Sequence, residues 1–309
     1  MLNGDPSSVE DMYQVAMDHG PCGRQDQELY RERTDYHWLG IGIQKGGTTT
    51  LFQRLYGHPA SFMGAKEMGF FLKVKLDEME PVDAKKWFAD LHWWNTYTVD
   101  KGMRRGEITP NYQTQPRVPR RVKKILGDPM RFVVLLRDPV SRAYSFYQMR
   151  KRLGIKEQLK GTFELSIMRE YDTIVRCQRL YRGMEDPLAW YTDCYHQVFP
   201  HVGCLGHGLY YTHLLLWYRY YPPCSVLVLD QADLNRPGTD QCIYSHLDMR
   251  PYDFELTQGR NTSSDWIKRD EYNKEDPMDP VTRDRLRDLF KPFNLKLEEL
   301  VGRTFDWGY

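Results

Sequence analysis

The sequence lacks a long hydrophobic run and lacks any strong excess of one charge. No stretch approaches the roughly 18 consecutive apolar residues that a membrane-spanning helix needs. The 43 lysines and arginines nearly balance the 42 aspartates and glutamates, whereas a nucleic-acid-binding domain is usually strongly basic. The composition therefore predicts no membrane span in this chain and no nucleic-acid partner, and it is compatible with a local basic cleft.

The sequence also lacks a recognisable targeting segment. Residues 1–6 have neither the charged nor the apolar region of a signal peptide. Two alternatives follow: a cytoplasmic protein, or the catalytic part of a longer, membrane-anchored protein. Nothing in the sequence indicates an oligomeric state.

Metal-ligand patterns are missing as well. No Cys-x-x-Cys pair exists, and the four histidines between positions 196 and 213 fit no ligand spacing, so no bound metal is predicted. The six cysteines are explained either as buried thiols or as disulfides formed in an oxidising compartment, and we favour disulfides without assigning their connectivity. Three cysteines lie close together in sequence and two flank a predicted strand: Cys177, Cys194 and Cys204, and Cys224 and Cys242.

The chain does contain an alternation of strands and helices. Continuous apolar runs at 37–43, 131–136 and 225–229 are typical of strands covered on both faces, and helical patterns lie between them. This alternation predicts an α/β domain with a central parallel sheet flanked by helices. We assign residues 36–309 to this single domain and residues 1–35 to a peripheral arm.

Two further segments carry weaker predictions. The aromatic run 217–221 is explained either by core packing or by stacking platforms for sugar rings, and its spacing does not distinguish the two. Residues 281–300 have apolar residues at helical spacing and are predicted to form two short helices separated near Pro292.

A glycine turn follows the first predicted strand. Gly46 and Gly47 allow the backbone to approach an anion, and the next helix offers its N-terminal amides and positive dipole end. Thr48 and Thr49 add hydroxyl donors, and Lys45 adds a compact positive charge. The lysine precedes the glycines, unlike in the Walker A pattern. The turn therefore predicts a phosphate site of another kind.

A second candidate phosphate site follows the strand at 131–136. Arg137 stands at the carboxyl end of this strand, Asp138 can cap a helix, and Pro139 suits its first turn. Ser145 lies about two turns into that helix, with Arg142 three residues earlier on a neighbouring face. An arginine with a serine hydroxyl suits a separate phosphate.

Together these motifs resemble the two cofactor-binding segments of sulfotransferases that use 3′-phosphoadenylyl sulfate (PAPS). Those segments usually read Lys-x-Gly-Thr-Thr and Arg-x-Pro with a downstream Arg-x-x-Ser. The Golgi-type carbohydrate branch is the most similar. Its Lys-Gly-Gly-Thr, Lys-Glu-x-x-Phe-Phe and Glu-Lys-Thr/Ser-Pro-x-Tyr segments resemble residues 44–49, 66–71 and 107–112.

The resemblance extends over roughly residues 37–307. Residues 208–210 with Trp217, the strand ending at Leu229, and residues 291–297 with Phe305 and Trp307 all look like that branch. The N-acetylgalactosamine 4-sulfate 6-O-sulfotransferases and the heparan sulfate sulfotransferases are the most similar groups. A Golgi-lumenal location is implied if this chain is the catalytic part of an anchored protein.

The resemblance also implies a fold and a set of roles. The fold would be the P-loop-like sulfotransferase fold. Glu67 would be the base that activates the acceptor hydroxyl, and Lys45 would neutralise charge on the leaving nucleotide. Lys66 would either help to hold the phosphosulfate or orient Glu67. The donor would be PAPS, and no metal would be required. Its binding residues would be the glycine turn, the second site and a late loop: Lys45, Gly46, Gly47, Thr48, Thr49, Arg137, Ser145, Gly259, Arg260 and Asn261.

Some positions depart from the heparan sulfate pattern. Gly69 and Leu72 replace a common histidine and aspartate, and Ile108 replaces a common lysine, at positions that touch the acceptor in the family. These departures argue against heparan sulfate. The cysteine-bearing middle segment and the Asn-Thr before the last helices resemble the N-acetylgalactosamine 4-sulfate 6-O-sulfotransferase group, which implies a chondroitin- or dermatan-like glycan. Asn261 also begins a formal glycosylation sequon, but a glycan in the suspected cofactor loop would obstruct binding.

Three alternatives to carbohydrate sulfation remain open from the sequence. One is sulfation of a small-molecule hydroxyl. Another is a kinase-like phosphotransferase, for which Asp230 is the candidate Mg²⁺-holding carboxylate after a strand. The third is a nucleotide- or carbohydrate-binding module without catalysis, against which Lys45 and Glu67 argue.

Overall fold

The computed structural model describes residues 37–91, 102–155, 161–254 and 278–308. Its centre is a parallel sheet of five strands in the order β2-β3-β1-β4-β5. The strands are β1 (Trp38–Gly42), β2 (Ser61–Met63), β3 (Arg104–Ile108), β4 (Arg131–Leu136) and β5 (Val226–Asp230). This is the parallel α/β sheet that the sequence predicts. The peripheral arm predicted at 1–35 lies outside the described residues.

Helices surround the sheet. They are α1 (Thr48–Tyr56), α2 (Pro81–Leu91), α3 (Val118–Leu126), α4 (Pro139–Arg152), α5 (Phe163–Leu180), α6 (His196–Val198), α7 (Tyr210–Tyr218), α8 (Thr239–His246) and α9 (Pro280–Val301). A π-helical segment, Trp190–Tyr195, precedes α6. Each of β1, β4 and β5 is buried along most of its length because helices cover both faces of the sheet.

Local capping explains where α4 begins. The carboxylate of Asp138 accepts hydrogen bonds from the amides of Val140 and Ser141, at 3.2 and 3.0 Å. Pro139, at the first helical position, has no amide that needs an acceptor. The sequence prediction of a helix started by Asp138 and Pro139 is therefore confirmed, and it fixes the position of Arg137 directly before the helix.

The sequence prediction of two short C-terminal helices is wrong, because α9 runs unbroken from Pro280 to Val301 with Pro292 inside it. Proline at this position leaves the carbonyl of Asp288 without its helical donor, but Asp288 is exposed and water can replace that donor. Buried side chains on both sides of Pro292 then hold the helix in one piece. They are Leu286, Leu289, Phe290, Phe293 and Leu297.

The aromatic run 217–221 belongs in large part to the core. Trp217 and Tyr221 are buried and pack against Phe132 of β4, with ring centroids 4.8 and 4.6 Å away. Core packing is therefore the explanation that holds for these two residues, and they are not sugar platforms.

The cysteines divide between the two explanations left open by the sequence. Cys177 and Cys194 form a disulfide that joins α5 to the π-helical segment. Cys224 is disulfide-bonded as well, whereas Cys204 and Cys242 are buried free thiols. Burial raises the pKa of the Cys204 thiol to about 12, which leaves it protonated and unreactive at neutral pH.

Candidate active site

The carboxyl ends of all five strands meet at one edge, because the sheet is parallel throughout. Lys45 follows β1, the middle strand, and Arg137 follows β4 on one side of it. Glu67 follows β2 on the other side, beyond β3. Ligands of open parallel sheets bind outside this edge. The fold therefore gathers the predicted donor and base residues in one row, with Lys45 between Arg137 and Glu67.

The glycine turn after β1 has the geometry of an anion cradle. Lys45 and Gly47 have φ angles of 73° and 100°, and the N-cap residue of α1, Gly47, has no side chain that could cap the helix. A Cβ atom on Gly46 would lie 2.5 Å from the carbonyl oxygen of Leu135, so no larger residue fits there without a backbone shift. The turn thus keeps the helix N-terminus and its positive dipole end open to a ligand. Thr48 is buried and Thr49 exposed at this terminus.

Arg137 is physically joined to the glycine turn. Its Nη1 lies 3.5 Å from the carbonyl oxygen of Lys45, although the two residues are 92 positions apart. The hydroxyl of Tyr210 donates to the carbonyl of Arg137 at 2.7 Å and fixes the backbone from the side of α7. The two motifs found in the sequence therefore form one continuous site.

A cavity of about 210 Å³ lies beside Arg137. Ser141 and Ser145 of α4 line one wall, and Arg283 and Arg287 of α9 line another. Arg142 does not take part, although it belongs to the Arg-x-x-Ser pattern. Its side chain is fully buried and donates to the carbonyl of Cys204, away from the cavity. The arginine that pairs with Ser145 at the cavity is Arg137.

Glu67 lies in a tightly turned loop after β2. Its φ is 64°, and its amide donates to the carbonyl of Ile108 at 2.9 Å, which ties the loop to the end of β3. The side chain is 49% exposed and forms an ion pair with Lys66. The carboxylate is therefore accessible at the sheet edge, with the neighbouring lysine positioned to orient it.

Two residues after β3 accept hydrogen bonds from backbone amides of this loop. The hydroxyl of Thr109 accepts a hydrogen bond from the amide of Gly69 at 3.1 Å. The hydroxyl of Tyr112 accepts one from the amide of Phe71 at 3.2 Å and donates to the buried carboxylate of Glu107. Burial, together with the Glu107 carboxylate, raises the pKa of Tyr112 well above its usual value. The phenol thus stays protonated and keeps its donor.

Two of the departures from the heparan sulfate pattern have structural explanations. Gly69 has a φ of 62°, in the left-handed region that disfavours the histidine common in that branch. Ile108 is fully buried, and its side chain packs directly over Gly40 of β1. Ile108 therefore faces the core in this chain.

Asp230 is the candidate metal ligand of the kinase alternative, but both of its carboxylate oxygens accept hydrogen bonds within the protein. One carboxylate oxygen accepts from the amide of Ala232 at 2.7 Å, and the other accepts from the indole of Trp307 at 2.6 Å. Burial raises the pKa of Asp230. These features describe a capping residue that holds the C-terminal segment in place.

Sequence reasoning left several site residues without a role. Arg283 and Arg287 have a basic i, i+4 spacing on α9 that could have indicated an anion-facing surface. Thr109 and Tyr112 belong to a segment quoted for its resemblance, but their contacts with the Glu67 loop depend on the pairing of strands distant in sequence. The predicted late loop, Gly259–Asn261, lies outside the described residues, as does the sequon at 261–263.

Neither a metal-binding cluster nor a membrane-spanning helix occurs among the described residues. No group of histidine, cysteine, aspartate and glutamate side chains there could hold a metal ion. Within the same residues, no helix combines the length and apolar character needed to cross a bilayer.

Comparison with known proteins identifies the family. The sulfotransferase domain family matches residues 35–240, two thirds of the chain. A crystal structure of a sulfotransferase from Alicyclobacillus acidocaldarius superposes with a TM-score of 0.60 at 18% identity, covering 90% of this chain and all of that one. The parallel sheet and glycine turn thus define the sulfotransferase fold. The chain belongs to the sulfotransferase domain family, and the resemblance inferred from the motifs is confirmed.

The curated relatives have low sequence identity to this chain, but their alignments cover most of it. The membrane-associated sulfotransferase kil1 of Dictyostelium discoideum is 24% identical over 88% of this chain. Human heparan sulfate glucosamine 3-O-sulfotransferase 3B1 is 26% identical over 86%, and human bifunctional heparan sulfate N-deacetylase/N-sulfotransferase 2 is 24% identical over 86%. The matched regions span only 66%, 63% and 29% of these three proteins.

Proposed function

We propose that this chain moves the sulfuryl group of PAPS onto a carbohydrate hydroxyl. The observation that carries the proposal is the row formed by Arg137, Lys45 and Glu67 along one sheet edge. The glycine turn after β1 and the cavity beside Arg137 are two adjacent candidate anion sites, and together they suit a nucleotide with phosphates at both its 3′ and 5′ positions. A carboxylate beyond the lysine suits a hydroxyl that must lose its proton.

The residues divide the chemistry between donor and acceptor. The glycine turn and Lys45 would bind the 5′-phosphosulfate, and Arg137 with Ser145 would bind the 3′-phosphate. Gly259, Arg260 and Asn261 are proposed, from the resemblance alone, to close over the nucleotide. Glu67 would accept the proton of the acceptor hydroxyl while the hydroxyl oxygen forms a bond to sulfur. The bond between sulfur and the bridging oxygen then breaks, and the electron pair leaves on the 5′-phosphate, next to Lys45.

Positioning and charge stabilisation account for catalysis in this scheme. Sulfuryl transfer, like phosphoryl transfer, moves a planar electron-poor group in line between two oxygens. The dipole of α1 and the charge of Lys45 oppose the negative charge that grows on the leaving oxygen. The scheme requires no metal ion.

The acceptor is proposed from the relatives and the loop. Two relatives carry heparan sulfate or glucosamine in their names, which supports a carbohydrate acceptor. Gly69 and Leu72 differ from the heparan sulfate pattern in the loop that carries Glu67. We therefore propose a chondroitin- or dermatan-like glycan as the first acceptor class to test, with small-molecule hydroxyls as the second. The Cys177–Cys194 disulfide supports an oxidising compartment such as the Golgi lumen rather than the cytoplasm.

The decisive assay is mass spectrometry of a glycan and small-molecule panel incubated with PAPS, with a gain of sulfate as the readout. Glu67→Gln should abolish transfer while nucleotide affinity stays within about twofold, because the amide cannot accept the proton. Glu78→Gln, at an exposed position outside the row, is the matched control and should keep full activity.

Other outcomes favour the alternatives. Magnesium-dependent transfer from ATP, with none from PAPS, would favour the kinase. Thermal stabilisation by PAPS without sulfation of any acceptor would favour the binding module. A Glu67→Gln variant with an unchanged turnover rate would remove Glu67 from the base role.

A further inference from the structure

We propose that Arg283 and Arg287 of α9 complete the binding site for the 3′-phosphate and give the protein its preference for a 3′-phosphorylated nucleotide. The proposal rests on the proposed use of PAPS. It adds a third element, the C-terminal helix, to a site that the sequence motifs assign only to the region of β4 and α4.

The geometry begins with the spacing of the two arginines. Residues four apart lie on the same face of a helix, so Arg283 and Arg287 project from one side of α9. Both line the cavity of about 210 Å³ whose other wall contains Arg137 and Ser145. A group bound there would meet guanidinium groups from two directions and a serine hydroxyl.

Apolar packing fixes α9 in this position. Leu286, Leu289 and Phe290 belong to the same buried cluster as Val140 and Tyr144 of α4. At Gly208, a Cβ atom would lie 2.9 Å from both Phe290 and Pro139, which shows how closely α9 approaches the start of α4. The two walls of the cavity are therefore held at a set separation without any ligand.

The charges of the cavity fit a dianion. Among the residues that the structure describes, three arginines and one carboxylate, Asp138, line it. The Asp138 carboxylate is engaged by the amides of Val140 and Ser141 and by the Ser141 hydroxyl, so it points towards the helix terminus that it caps. Arg287 has an acidic neighbour on its own helix, Asp284 at 3.6 Å. A phosphate that carries nearly two negative charges would balance the excess of arginine.

The test measures nucleotide affinity by isothermal titration calorimetry with two probes. Adenosine 3′,5′-bisphosphate contains the group that the cavity would bind, and adenosine 5′-monophosphate lacks it. For the Arg283→Ala/Arg287→Ala variant, we expect the affinity for the bisphosphate to fall about tenfold or more and the affinity for the monophosphate to stay within about twofold.

The matched control is Arg285→Ala. Arg285 lies between the two arginines on the same helix, but its guanidinium stacks over the Tyr171 ring at 4.2 Å and does not line the cavity. Its loss removes one positive charge, as each of the single variants Arg283→Ala and Arg287→Ala does, so a general electrostatic effect on nucleotide binding would appear in this variant too. The single variants Arg283→Ala and Arg287→Ala provide the same test if the double variant does not fold.

The outcomes separate this inference from the proposed function. Equal affinity of the wild-type protein for the two nucleotides, or no binding of either, would refute the use of a 3′-phosphorylated donor. A wild-type preference for the bisphosphate that persists unchanged in the arginine variants would overturn the role of α9 alone. An equal loss of affinity in Arg285→Ala would likewise overturn it.

Discussion

Thr109→Val offers a sharp test of how the Glu67 loop is positioned. The substitution keeps the shape of the side chain and removes the hydroxyl that accepts the Gly69 amide at 3.1 Å. Thr109 is 3% exposed, so valine at this position remains buried. The Gly69 amide, two residues after Glu67, then loses its acceptor.

The magnitude follows mainly from that amide, because the Tyr112 hydroxyl, which also hydrogen-bonds Thr109, keeps its bonds to Phe71 and Glu107. A lost neutral hydrogen bond with a partly buried donor left unpaired costs about 1–2 kcal/mol of unfolding free energy. For a protein of this size the melting temperature should fall by only about 2–4 °C. The effect on transfer should be larger, because displacing a catalytic group by about 1 Å costs up to about a hundredfold in rate. We expect kcat to fall ten- to a hundredfold and the KM for PAPS to stay nearly constant.

The assay combines thermal melting with steady-state sulfate transfer, using Thr109→Ser as the control. Serine keeps the hydroxyl acceptor, so it should restore most of the rate. A Thr109→Val variant with reduced melting temperature and wild-type kcat would show that Thr109 supports only the fold. That result would refute the argument that it positions Glu67.

Two further predictions concern stability. Burial lowers the pKa of His207 and of His246 to about 3, so between about pH 6.5 and pH 3 the unfolded chain binds protons that the folded protein excludes. The unfolding free energy should therefore fall on acidification, by up to about 1.4 kcal/mol per pH unit for each histidine, and pH-independent denaturant melts between pH 7 and 5 would contradict this. Replacing both Cys177 and Cys194 by serine removes a crosslink over 17 residues, which should cost about 2–4 kcal/mol in chemical denaturation; an unchanged midpoint would mean that the disulfide does not form.

The sequence predicts well those parts of the fold that local patterns determine. The strand 131–136 and the Asp138 cap follow from a continuous apolar run and from helix-start chemistry, and the structure has both at those positions. The glycine turn after β1 is equally local, since residue order alone indicates an anion site. These elements carry Lys45 and Arg137, so the residues of the proposed donor site could be identified from the sequence.

Other parts depend on contacts that no local pattern encodes. The strand β3 reads Arg-Arg-Gly-Glu-Ile and has little of the apolar character of a buried strand, although its Arg105 and Glu107 are buried. The continuity of α9 through Pro292 depends on tertiary packing that outweighs one lost hydrogen bond. Arg283 and Arg287 meet Arg137 only because α9 folds back onto α4.

The most direct measurement of the central claim is a crystal structure with adenosine 3′,5′-bisphosphate bound. We predict that the 5′-phosphate lies against the Lys45–Thr49 turn and the 3′-phosphate lies between Arg137 and Ser145. The 5′-phosphate end of the nucleotide should face Glu67. A nucleotide bound elsewhere, or one that leaves either the turn or Arg137 without contact, would contradict the account.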